Sequence, residues 1–248
     1  MMNRIKTPVE IERIRTSGAM LAAVLRYLVP QVHSGMTTRE LDTLAAKELK
    51  RLGGEPAFLG YQGFPAVICI SVNDEVVHGI PGARRLAEGD LVGLDFGVDY
   101  EGMITDGAVT VPVGLIDDTA RGLLQATEEA LMLGIKQVRA DARVGDIAHA
   151  IEKRLRRDNL GVIEDLCGHG VGHEVHEDPI IPNYGKAGRG AKLKAGMTIA
   201  IEPMATLGGP HVKLAPDNWT ILTADGSLGV QFEHTVLVTP TGAEILTK

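Results

Sequence analysis

The sequence predicts an α/β (α+β) fold: a single domain over residues 1–248, built from two similar halves, about 1–115 and 116–248, that share an antiparallel sheet. Three observations predict it. Two helical stretches followed by strands occur twice along the chain. Positions in the two runs match in detail, Gly89-x5-Asp95 with Gly196-x5-Glu202, Leu41 with Ile147, and Leu49 with Leu155. An acidic residue stands at the end of an apolar strand run at corresponding places in both halves, Asp106-Gly-Ala-Val-Thr-Val matching Glu233-His-Thr-Val-Leu-Val. No linker or shift in composition separates the halves, and two copies are too few for a solenoid.

Thr7-Pro8-Val9-Glu10 combines an N-cap, a proline at the first helical position and a capping-box glutamate. Ile14, Leu21, Val24, Leu25 and Leu28 follow at helical spacing as far as Pro30. Thr37-Thr38-Arg39-Glu40 opens a second helix with Leu41, Leu44, Ala45, Leu49 and Leu52 on one face, stopped by Gly53-Gly54. Residues 66–72 read as a buried strand, Asn73-Asp74 as its turn, and Val76-Val77-His78 as the start of another. Residues 90–96 and 103–113 read as a strand pair around Gly102. In the second half, helices are predicted over 118–138 (Leu123, Leu124, Leu131, Ile135, Val138) and 144–157 (Ile147, Ala148, Ile151, Leu155). Strands are predicted over 162–167, 197–206, 219–223 and 230–238, with a loop of roughly twenty extra residues around 207–228.

The composition narrows the function. With 248 residues, 44% of them hydrophobic, the chain can bury a substantial core. A net charge of −7 and a pI of about 5.6 argue against binding to nucleic acid or a membrane surface. Two cysteines, Cys69 and Cys167, make neither a disulfide framework nor a zinc-finger spacing. Met1 to Lys6 contain no apolar signal core, and no run of 18 apolar residues occurs, so a soluble cytoplasmic protein is expected.

The chemistry lies in four carboxylates. Asp95 closes Leu91-Val92-Gly93-Leu94 and Glu202 closes Ile199-Ala200-Ile201; Asp106 opens Ala108–Val111 and Glu233 opens Thr235–Val238. One aspartate at a strand end is usually a turn or capping residue, but four in duplicated positions are not. Burying an uncompensated carboxylate costs several kcal/mol or more, and bound metal compensates several at once. Hard oxygen ligands suit divalent ions such as manganese or iron, and an imidazole adds affinity for the latter. The imidazole candidate is His169, in Cys167-Gly168-His169-Gly170-Val171-Gly172. Four carboxylates balance the charge of two dications. Paired metals about 3.5–4 Å apart can share a bridging water, lower its pKa and hold a tetrahedral intermediate, which is the chemistry of hydrolysis. His78, beside a glycine at a strand end, and His176, in Val175-His176-Glu177-Asp178-Pro179, are the remaining candidates, one for a substrate amide and the other for an oxyanion. His173-Glu174-Val175-His176 is no helical zinc motif, because its histidines are three apart after a glycine-rich stretch. His33, His149 and His211 carry no such marks, and His173 is expected to be structural. The basic clusters of the second and fourth helices read as solvated faces.

At these residues the chain resembles the bacterial type I methionine aminopeptidases of family M24. The matching segments are Tyr61-Gln62-Gly63-Phe64-Pro65, Ser71 to Pro81, Asp95-Phe96-Gly97-Val98, Gly168 to Gly172 with His176-Glu177-x-Pro179, Ile201-Glu202-Pro203-Met204, and Phe232-Glu233-His234-Thr235. The resemblance runs end to end. It implies the pita-bread fold, with a dinuclear centre between duplicated halves. It implies that Asp95 chelates one metal, that Asp106 and Glu233 bridge both, and that His169 and Glu202 complete the other, with Glu202 also serving as acid/base. The ions implied are Fe2+, Mn2+ or Co2+, with Zn2+ and Ni2+ as further candidates. His78 would contact the scissile amide nitrogen and His176 the carbonyl oxygen. Tyr61, Phe64, Cys69 and Trp219 would line a methionine pocket, whose aromatics and sulfur suit a thioether.

The implied reaction removes the initiator methionine from nascent chains whose second residue is small, in a monomeric enzyme. Gln62, Val175 and His173 depart from the residues usual at their positions and bear on pocket shape. The loop after Met204 carries only Lys213 as a basic residue before Trp219, so any contact with the ribosome is expected to be transient rather than strongly electrostatic. Two rivals share the fold. One is an Xaa-Pro peptidase, whose members usually carry a separate N-terminal domain. The other is a non-catalytic binding module, whose members typically lose metal ligands.

Overall fold

The structure is a computed structural model and describes residues 5–248; Met1 to Arg4, within the stretch read as lacking a signal core, lie outside the described residues. Helix α1 (Pro8–Leu28) begins at the expected capping box, with Thr7 and Glu10 each satisfying the other's backbone N–H. A 3₁₀ turn over Val29–Gln31 carries the chain through Pro30, so the proline ends the α-helix without ending the helical path. Helix α2 (Thr38–Leu52) starts at a second capping box on Thr37 and Glu40. Strands β1 (Glu55–Pro56), β2 (Ile68–Val72), β3 (Glu75–Val77), β4 (Leu91–Tyr100) and β5 (Met103–Pro112) follow. The pattern then returns with α3 (Asp118–Ile135) and α4 (Val144–Arg157). After them come β6 (Gly161–Val162), β7 (Cys167–Gly170), β8 (Glu177–Pro182), β9 (Thr198–Ile201) and β10 (Met204–Thr206). The chain ends through β11 (Val212–Leu214), β12 (Ile221–Thr223), β13 (Gly229–Gln231), β14 (His234–Val238) and β15 (Ala243–Ile245). No described helix is long and apolar enough to cross a membrane.

Two larger antiparallel sheets carry the architecture. In one, β4 pairs with β1, β2 and β5; the other runs β15-β14-β9-β7-β8. Each is backed by a helix pair over its own apolar core. Leu21, Val24, Leu41 and Leu49 pack on Val92, Leu94, Phe96 and Val98 in one. Leu123, Leu131, Ile147 and Ile151 pack on Ile199, Ile201, Val236 and Val238 in the other. Two three-stranded sheets, β13-β10-β6 and β11-β12-β3, close the end near the loops.

Three of the predicted strands are broken in the structure. The stretch 197–206 divides at Glu202-Pro203 into β9 and β10, and 230–238 divides at Phe232-Glu233 into β13 and β14. Proline has no N–H to donate to a ladder, so the chain leaves the β14 pairing at Pro203 and joins β13 instead. Both long strands thus cross from one sheet to another at an acidic residue. The stretch 162–167 likewise divides into β6 and β7. The predicted loop at 207–228 contains a hairpin, β11–β12, that pairs with β3 beside His78. Strand β8 and the short β15 were not anticipated.

The two large sheets meet along β5 and β14. Ala108 and Glu233 exchange backbone hydrogen bonds of 3.3 and 2.9 Å. On either side a threonine hydroxyl replaces the ladder. Thr235 Oγ1 donates to the Asp106 carbonyl (2.7 Å) and accepts from its N–H (2.9 Å). Thr110 Oγ1 donates to the Gln231 carbonyl (2.7 Å) and accepts from its N–H (3.2 Å). Orphaning a buried backbone group costs about 1–3 kcal/mol. Thr235→Val, which keeps the shape and removes the hydroxyl, is therefore expected to lower stability by at least about 2 kcal/mol in a urea titration; a loss under about 0.5 kcal/mol would show that the seam does not depend on this bridge.

Candidate active site

Strand alternation collects the acids. In β4 the even residues Val92, Leu94, Phe96 and Val98 face α1 and α2, so Asp95 points from the opposite face. In β9 Ile199 and Ile201 face α3 and α4, so Ala200 and the following Glu202 point the other way. The same parity turns Glu233 away from the core side of Val236 and Val238. In β5 Ala108 is registered opposite Asp95, so Asp106, two residues away, takes the same inner face. His169 is registered opposite Ala200, and cross-strand partners share a face. A Cβ at Gly168 would lie 2.4 Å from the Ala200 carbonyl oxygen, so glycine is what lets β7 approach β9 closely enough.

All five sequence-predicted ligands line one cavity of about 330 Å³. Asp106, His169 and Glu233 offer ligand atoms within 4.8 Å of one another. His169 Nε2 lies 3.4 Å from Glu202 Oε1 and 3.9 Å from Asp106 Oδ2. Asp95 sits against the Asp106 carboxyl and the Gln231 amide. No lysine or arginine is among the described residues that line the cavity. Asp95 Oδ1 and Glu233 Oε1 are buried and have no hydrogen-bond partner.

This donor set fits divalent metal. His169 Nδ1 lies 2.9 Å from the Gly170 carbonyl, which can only accept, so Nδ1 carries the proton and Nε2 presents a lone pair. That lone pair faces carboxylate oxygens, an arrangement that a cation between them makes favourable. Burial also pushes the protein groups away from their ordinary ionisation. Desolvation raises the Asp95 carboxyl to about 7. It raises Asp106, Glu202 and Glu233 well above the carboxylate range, with their mutual repulsion adding to it. It lowers His169 to about 3. Dications reverse this balance for the acids and accept the neutral imidazole as a ligand.

His78 and His176 line the same cavity. His78 has a left-handed backbone, φ 60°, and a Cβ at the next residue, Gly79, would lie 2.2 Å from the Ile70 carbonyl oxygen. The chain thus turns tightly against β2 and aims His78 inward. Desolvation, with the charge of His176 second, lowers the His78 imidazole to about 4, and burial lowers His176. The His176 ring lies 4.3 Å from that of His169, between centroids, and its Nδ1 is 2.9 Å from the Tyr61 hydroxyl.

The apolar end of the cavity is formed by Phe58, Phe64, Cys69, Val175 and Trp219. Trp219 meets Phe64 edge-on at 5.1 Å, its loop held by Asp217, which accepts the N–H groups of Trp219 and Thr220 at 2.9 Å. Both cysteines are free. Gln62 also lines the cavity, whereas His173 turns away, bonded to Glu10 at 2.8 Å. Sequence reasoning missed Phe58, Met204 and above all Gln231, whose amide donates to Glu202 Oε2 at 3.2 Å and Glu233 Oε2 at 3.5 Å. The available signal was alternation: Gln231 is a polar residue two before Glu233 in an otherwise apolar run.

The model of metallopeptidase family M24 matches residues 12–240. The chain is 43% identical to methionine aminopeptidase 1 of Bacillus subtilis (strain 168) over 243 residues, 98% of this chain and 98% of that protein. The crystal structure of methionine aminopeptidase from Thermotoga maritima is similar with a TM-score of 0.98 at 45% identity, over 100% of both chains. A prolidase from Pyrococcus furiosus is similar at a TM-score of 0.80 and 26% identity, over 99% of this chain and 66% of the prolidase. The fold is therefore the pita-bread fold, and the chain belongs to metallopeptidase family M24, as a divalent-metal aminopeptidase of its methionine aminopeptidase group.

Proposed function

We propose that this protein removes the initiator methionine from nascent polypeptides whose second residue is small, using two divalent ions, Fe2+, Mn2+ or Co2+, with Zn2+ and Ni2+ as alternatives. The observation that carries the proposal is the meeting of four acids, two from each helix–helix–strand unit, with the His169 imidazole in a cavity that has an apolar end and no lysine or arginine among the described residues that line it. Asp95 would chelate one ion, Asp106 and Glu233 both, and His169 with Glu202 the other. When bound, such ions supply an acidified water and positive charge against a developing oxyanion. We read the chain as one domain of duplicated halves, about 1–115 and 116–248, acting as a cytoplasmic monomer that meets nascent N-termini, with at most transient contact with the ribosome and none with nucleic acid.

The protein groups have distinct tasks in this reading. Phe64, Cys69, Trp219 and Tyr61 receive the methionine side chain, a flexible thioether suited to aromatic and sulfur neighbours. Glu202 takes the proton of the attacking water and returns it to the departing amine. Gln231 holds Glu202 and Glu233 in place. His78, neutral at physiological pH, hydrogen-bonds the amide nitrogen. A Tyr61 hydroxyl donating to His176 Nδ1 leaves the His176 proton on Nε2, the donor that the carbonyl oxygen requires as it becomes negative.

Release of methionine from a Met-Ala-x peptide, against release of the first residue from an x-Pro peptide, tests the substrate. The expected result is metal-dependent cleavage of the first and little of the second; preference for the x-Pro peptide would reassign the chain within its fold. Glu202→Gln is expected to lower kcat at least about 10²-fold, and wild-type activity in that variant would remove the acid/base role. Chelated protein supplies a further test. Acids with raised folded-state pKa values bind protons more tightly folded than unfolded, so the contribution of Asp95 to metal-free stability is full below its unfolded value of 3.8 and is lost as pH rises through about 7. The buried histidines, held below their ordinary value, act in the opposite direction, so the test compares chelated wild type with Asp95→Asn. The stability gained by the substitution should grow as pH rises from about 4 to about 7, and a hundredfold excess of manganese over its Kd should stabilise the wild type by about 2.7 kcal/mol per site. A gain that does not change with pH would contradict the electrostatic account.

A further inference from the structure

The loop Val171 to His176 leaves the β7–β8 ladder between the paired residues Gly170 and Glu177. It delivers His176 to the cavity, yet its own backbone bonds outside the ladder involve only Val171, Gly172 and Glu174 among the described residues. One carboxylate holds the middle of the loop at two further N–H groups. Glu177 Oε1 accepts the N–H groups of His173 (2.6 Å) and Glu174 (3.3 Å). The other oxygen, Oε2, takes Lys6 Nζ at 2.7 Å, with the two side chains 0% and 4% exposed. A charged pair so far from water must be well matched to be tolerated at all. Lys6 is fixed in turn by its N–H to the Gly196 carbonyl, 2.9 Å, and its stem runs against Gly172, where a Cβ would lie 2.3 Å from Lys6 Cε. Beside it, Glu10 at the start of α1 bonds His173 Nε2 at 2.8 Å. Lys6 and the first turn of α1 therefore grip the His176 loop at two points.

We infer that Lys6, acting through Glu177, is a positioning residue for the reaction: the buried ion pair holds the loop so that His176 meets the substrate carbonyl. This rests on the role proposed for His176. Lys6 does not line the cavity, so its effect must appear in the turnover of bound substrate and only while His176 is present. A misplacement on the order of 1 Å can cost 10²-fold in rate.

The test is a double-mutant cycle of Lys6→Met and His176→Ala, with kcat and KM measured on a Met-Ala-x peptide at saturating manganese and at a temperature where each variant is folded. Lys6→Met is expected to lower kcat at least about tenfold, with KM and manganese affinity within about twofold of wild type. In the His176→Ala background the same substitution should change kcat less than about twofold. Full kcat in Lys6→Met, or an equal loss in both backgrounds, overturns the inference. A His176→Ala enzyme with full kcat overturns the role of His176 itself, which separates the two failures. If Lys6→Met does not fold, Glu10→Gln enters the same cycle, with a smaller kcat loss that must likewise vanish without His176.

Discussion

The structure depends on how its buried negative charge is compensated. Asp95, Asp106 and Glu233 lie almost wholly out of water, with the Glu202 side chain 12% exposed beside them, and the described residues around them offer an amide, imidazoles and thiols but no ammonium or guanidinium. Elsewhere the chain answers a buried charge with an ion pair, as Arg154 does with Glu129 and Asp158. At the centre it does not. A cluster of four carboxylates without cations would be driven to protonate, and two of its oxygens have no hydrogen bond at all. Divalent metal resolves both difficulties, and it turns a costly interior into a catalytic one.

The remaining architecture serves to bring these groups together. Each large sheet hides one face under a helix pair, so alternation delivers its acids to the other face. The seam between β5 and β14 then sets the two inner faces against each other. Hydroxyl bridges from Thr110 and Thr235 let the strands approach while leaving the side chains of Asp106 and Glu233 free for the cavity. The crossings at Glu202-Pro203 and Phe232-Glu233 do further work: the chain between them forms the small sheets that bring Trp219, Met204 and Gln231 over the site.

Much of this was legible in the sequence, for physical reasons that can be named. Capping boxes at Thr7 and Thr37 are local chemistry, and both helices start where they predict. Charges interrupting apolar runs marked Asp95, Asp106, Glu202 and Glu233, because burial of such groups needs an explanation wherever they meet. The strand breaks were not legible, since an apolar run looks the same whether it stays in one sheet or crosses between two; only Pro203 hinted at it. Alternation marks Gln231 as sharing the face of Glu233, but its role depends on the partners that the fold supplies, Glu202 and Glu233. Phe58 lay outside any periodic segment. The buried pair of Lys6 and Glu177 joins residues so distant in sequence that only the fold could reveal it.

Anomalous diffraction from crystals grown with manganese tests the central claim most directly. The account predicts two peaks per chain, about 3.5–4 Å apart, with Asp95 on one, His169 and Glu202 on the other, and Asp106 and Glu233 touching both. A cavity with no peak, or ions bound only at surface carboxylates while the four central acids hold protons, would contradict it.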